Sequence, residues 1–67
     1  MSDIAGMRER AQYLRDQAAS LREMGRKSLN DREMAERFEQ LARECQQIAD
    51  NIEINIPLHE RAAEANN

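Results

Sequence analysis

The sequence predicts an all-α protein: an antiparallel helical hairpin that self-associates into a four-helix bundle. Three observations carry this expectation. Apolar residues recur at alternating steps of three and four on both sides of the segment Gly25–Asn30. Ala, Glu, Arg, Gln, Leu and Met dominate the composition, with 3% aromatic and 34% charged residues, which favours helix. And 67 residues with a single cysteine, Cys45, cannot close a disulfide of their own. A scaffold of this size lacking such a staple usually draws on a partner chain.

The hairpin is expected over residues 1–56, with a helix over about 3–24, a turn over 25–30 and a helix over about 31–54. Residues 57–67 are expected to form a tail in which Pro57 opens a short helix and the end is frayed.

In the first helix, Ser2 is placed to cap and Asp3 suits the positive N-terminal end. Ile4, Ala11, Ala18 and Gly25 then occupy heptad position a, and Met7, Leu14 and Leu21 occupy d. Arg8, Arg15 and Arg22 lie seven apart at e, beside the seam. Their stems can cover the core edge while their heads pair or stay in water. The competing expectation is a row of phosphate contacts for nucleic acid. An acidic residue follows each of them (Glu9, Asp16, Glu23) and weakens the positive field.

Gly25 is expected at the position just past the first helix, where the left-handed conformation is common. Arg26 and Lys27 suit the negative helix end. Asn30 is the expected cap of the second helix, with Glu33 three residues on and a Leu29–Met34 hydrophobic staple; Ser28 with Asp31 is the competing choice.

The second helix continues the pattern. Phe38, Cys45 and Ile52 fall at a, Met34, Leu41 and Ile48 at d, and Ala35, Ala42 and Ala49 at e. Folding about Gly25–Asn30 pairs Leu21 with Met34, Ala18 with Phe38 and Leu14 with Leu41, then Ala11 with Cys45, Met7 with Ile48 and Ile4 with Ile52. The alanine row is left over in that arrangement, which points to a further neighbour at close range. The expected oligomer and core residues are therefore Leu14, Ala18, Leu21, Ala35, Phe38, Leu41, Ala42, Cys45, Ile48, Ala49 and Ile52. A homodimer, or a higher homo-oligomer, is the expected assembly.

Ile52, Ile54 and Ile56 alternate with polar residues, and Pro57 disfavours helix at Ile56. The second helix is accordingly expected to stop near residues 51–55, with Ile54, Ile56 and Leu58 packing across the bundle.

Charge is asymmetric. Residues 1–30 carry six basic against four acidic side chains, and residues 31–67 carry four against nine. The halves should attract one another modestly. No apolar run is long enough to span a membrane, and no secretory signal pattern opens the chain, so a soluble cytoplasmic protein is expected.

Chemistry is sparse. His59 has Ile56 three residues before it, so the Glu-x-x-His pattern of di-metal bundles is missing. Cys45 reads as a small buried hydrophobe. There is no phosphate-binding glycine loop and no organised nucleophile set. The expectation is a protein that is not an enzyme and needs no cofactor, acting through protein partners.

Ala11, Leu14, Ala18 and Leu21, with the short connection and the chain length, resemble the Rop-type hairpin dimers that bind RNA. That likeness implies the four-helix architecture over roughly residues 3–55 and, as the alternative function, RNA or DNA binding through the basic ridge. The stretches Arg10–Ala18 and Phe38–Ala42 also look like short bacterial helical-hairpin proteins of unassigned function. The secreted WXG-type hairpins are similar in layout, but Glu23, Met24 and Gly25 stand where their turn tryptophan would be.

Overall fold

The computed structural model describes residues 3–65, which form two helices packed side by side. Helix α1 spans Asp3–Lys27 and helix α2 spans Arg32–Ala65. The molecule is a rod of 57 × 15 × 10 Å. Its radius of gyration, 15.9 Å, exceeds the roughly 11 Å of a compact chain of this length. A 34-residue helix alone accounts for most of that length, at about 1.5 Å per residue.

The reversal falls later in the chain than the glycine suggests. Helix α1 runs through Gly25, and no residue among those described has a positive φ. The left-handed stop expected at Gly25 is not formed. Instead the Ser28 hydroxyl donates to the Met24 carbonyl at 2.9 Å, and the Ser28 amide donates to the Gly25 carbonyl at 3.2 Å. These bonds satisfy carbonyls that a helix end leaves without partners. The Asp31 amide then donates to the Ser28 carbonyl at 3.3 Å, closing a tight turn over Leu29 and Asn30.

Helix α2 is capped by Asp31 rather than Asn30. The Met34 amide donates to Asp31 Oδ1 at 2.9 Å, and the Ala35 amide donates to the Asp31 carbonyl at 3.0 Å. That is N-cap geometry, with Met34 at N3. The Leu29–Met34 staple does not form either: Leu29 is 87% exposed at the turn tip. The cap wins over the staple because it supplies a charge-assisted bond to a helix N-terminus.

The later reversal moves the pairing register. A methyl group on Gly25 would lie 3.4 Å from Phe38 Cβ and 3.5 Å from the Ala35 carbonyl oxygen. Phe38 thus sits against Gly25, where the sequence pairing set it against Ala18. The displacement is one heptad of α1. In addition, α2 turns its Ala35, Ala42, Ala49 and Ile56 row, rather than its a and d rows, towards Ala11, Ala18 and Gly25 of α1. Ala18, Ala42 and Ala49 are 0% exposed, Ala11 3% and Ile56 7%. The alanine row therefore forms the hairpin's own seam.

Pro57 interrupts nothing. Helix α2 is continuous from Arg32 to Ala65, against the expected stop near residue 54 and the separate tail. Proline in a helix interior removes one backbone bond and costs about 3 kcal/mol. Two features offset this. Ile56, one heptad beyond Ala49, is buried and extends the seam. The Asn55 side-chain amide donates to the Asn51 carbonyl at 2.8 Å, holding the preceding turn. Ile54 and Leu58 do not share that burial and remain exposed.

Two consequences can be measured. Pro57→Ala should raise the melting temperature, with a gain of about 1–3 kcal/mol in chemical denaturation, because the backbone bond is restored without disturbing the seam. Ala18→Leu should cost about 1–3 kcal/mol and reduce helical content on heating, because a fully buried methyl site has no room for a larger side chain.

Candidate interaction surface

The alanine seam divides the rod into two unlike flanks. Along one flank the arginine row of α1 faces carboxylates of α2. Arg8 Nη2 lies 3.6 Å from Glu60 Oε1, and Arg22 Nε lies 3.8 Å from Glu39 Oε1. Arg15 in the middle engages two carboxylates: its Nη2 donates to Asp50 Oδ1 at 3.0 Å and also to Glu53 Oε1. Helical spacing explains the ladder. Position e of α1 projects to the side of the seam on which Glu39, Glu53 and Glu60, separated by fourteen and seven residues, project from α2. Each pair is at least partly solvated, so each contributes modestly. The ladder runs from end to end of the hairpin.

The basic ridge singled out in the sequence is accordingly engaged within the chain. Arg8, Arg15 and Arg22 each have an acidic partner at the seam edge. A phosphate would have to displace those carboxylates, and the adjacent acidic field would oppose it.

The opposite flank is apolar. Met7, Leu14 and Leu21 of α1 lie beside the seam, half-buried. Phe38, Cys45 and Ile52 of α2 lie next to them, also half-buried. Outside these, Met34, Leu41 and Ile48 are exposed at 44%, 47% and 50%. Both helices contribute to a single face, since Met7 and Ile48, with Gly6, Ile52 and His59, line one groove near its open end. The three rows hold no charged side chain.

The sequence-expected core residues thus separate into two sets. Ala18, Ala42 and Ala49 are in the seam, with Ala35 half-buried near its turn end. Leu14, Leu21, Phe38, Leu41, Cys45, Ile48 and Ile52 are on the apolar flank. Ala11, Gly25 and Ile56 belong to the seam and were not in the expected set. The signal that identifies them is a match of size: the small row Ala11, Ala18, Gly25 complements Ala35, Ala42, Ala49, and Ile56 continues it.

Tyr13 and Met24 are also exposed on α1, and His59 is exposed on α2 at the open end of the apolar groove. Among the described residues no cluster of three metal-ligating side chains occurs, and no helix is long and apolar enough to cross a membrane. Comparison with known proteins gave no matching family model, no matching curated protein and no matching solved structure.

The ladder has a direct test. Arg15→Ala should destabilise the fold by about 0.5–1 kcal/mol in dilute buffer, and the difference from the parent should shrink in about 1 M salt, where screening acts within a few ångströms.

Proposed function

We propose that this chain is a non-catalytic interaction or structural protein that self-associates into a four-helix bundle and acts through protein partners. The observation that carries the reading is the size of the hairpin's interior. Its buried side chains among the described residues are four alanines and one isoleucine, and no larger side chain is fully enclosed. Full burial of a Leu, Ile, Phe or Met side chain contributes about 1.5–3 kcal/mol, and that contribution is largely unused in a lone hairpin. Two helices with an uncovered apolar flank are half of a four-helix core.

The groove pattern supports a role in contact rather than chemistry. Its residues are mostly aliphatic or amide, without a nucleophile and base held together. A cytoplasmic setting goes with this reading, since a half-buried lone thiol such as Cys45 stays reduced there. The alternative reading, an RNA- or DNA-binding regulator, would rest on Arg8, Arg15 and Arg22, which already engage carboxylates.

Sedimentation equilibrium at micromolar concentration tests the proposal. The expected mass is twice that of the chain or a higher multiple, with helical melting that rises in temperature with concentration. A monomer mass with cooperative melting would contradict it. Titration with RNA and DNA at two salt concentrations is expected to give no binding at either; tight, salt-sensitive binding would favour the alternative.

A further inference from the structure

We infer that the apolar flank is the self-association face and that its occupant is the same flank of a second copy, with Cys45 enclosed at its centre. This rests on the self-associating reading above and deepens it by naming the surface and the partner.

Extent is the first argument. The rows run from Met34 to Ile52, about 28 Å at 1.5 Å per residue, across two helices of roughly 10 Å each. That is on the order of 550 Å² of flat area, and more when the side-chain relief is followed. Stable interfaces take about 800 Å² per partner, whereas an apolar patch of several hundred Å² is unusual on a monomer. The opposite flank offers no comparable surface, because the arginine–carboxylate ladder occupies it.

Charge is the second argument, and it favours a second copy over a strongly charged partner. The rim beside the rows carries Asp3 and Arg10 on α1 and Arg37 and Glu44 on α2, two charges of each sign. Asp3 and Arg10 line the groove at the open end of this flank. A rim with no net charge does not repel its own copy and gives no attraction to a polyanion.

Position is the third. Cys45 is the middle residue of its row, between Phe38 and Ile52, and Leu41 and Ile48 flank it one row out. A two-fold dimer presents the same patch from both subunits. Face-to-face closure therefore brings the thiol to the middle of the new core, where reagents in water do not reach it. In the hairpin alone it is only half-buried.

The experiment pairs solution mass with thiol reactivity. Wild-type protein at a concentration where it is a dimer should react with a small aromatic disulfide reagent at Cys45 at least about tenfold more slowly than the same protein in denaturant, and dilution towards the monomer should speed the reaction. The double variant Leu41→Glu/Ile48→Glu should lose the dimer mass and gain fast thiol reaction, whether or not the isolated hairpin keeps its helicity. A control with Tyr13→Glu/Gln47→Glu, off the flank, should keep both the dimer mass and the slow reaction. Fast reaction of the wild-type dimer, or a dimer mass in the Leu41→Glu/Ile48→Glu variant, would overturn the assignment of the face while leaving self-association intact. A monomeric, cooperatively folded wild-type protein would overturn both.

Discussion

Everything in this structure follows from how closely two helices approach. Helix axes pack at about 8–10 Å, and the lower end requires small side chains at the contact. Here Ala11, Ala18 and Gly25 meet Ala35, Ala42 and Ala49, so the seam is filled with methyl groups and backbone. A narrow seam leaves no space between the helices for the larger residues. The row of Met7, Leu14 and Leu21, that of Phe38, Cys45 and Ile52 and that of Met34, Leu41 and Ile48 are pushed to one side, and the arginine row with its carboxylate partners to the other. The same contact thus creates the minimal interior, the apolar flank and the ion-pair ladder.

Much of the fold was legible in the sequence. The alanine row of α2, not its a and d rows, faces α1, but two helices and their antiparallel packing do follow from periodicity alone. Register does not. A seven-residue repeat is satisfied equally well when one strand of the pattern slides by seven, so only the turn decides between the alternatives. The glycine suggested an early stop, but no left-handed residue forms there, and Ser28 and Asp31 supply the bonds that place the reversal later. Pro57 misled in the opposite sense. Its local penalty is real, but a buried isoleucine one residue earlier holds the continuous helix against α1 beside the proline.

The candidate surface was legible in composition and misread in arrangement. The alanine row looked like the place where a second hairpin docks, because it exceeds what a two-row seam needs. Size complementarity reverses that assignment: small rows pack with small rows inside the chain, and large rows remain outside. The arginines form a ridge beside the seam at the seven-residue spacing the sequence shows. What periodicity could not supply is that acidic residues of α2 share the same flank at matching intervals, which depends on the register.

The displaced register is the central structural claim, and a crosslink reads it directly. Disulfides need Cβ atoms about 3.5–4.5 Å apart, close to the 3.4 Å between a Cβ placed on Gly25 and that of Phe38. With Cys45→Ser to remove the native thiol, the pair Gly25→Cys/Phe38→Cys should oxidise readily to an intramolecular bridge, and the pair Ala18→Cys/Phe38→Cys should not. Ready closure of the second pair with failure of the first would contradict the alanine seam and restore the earlier register.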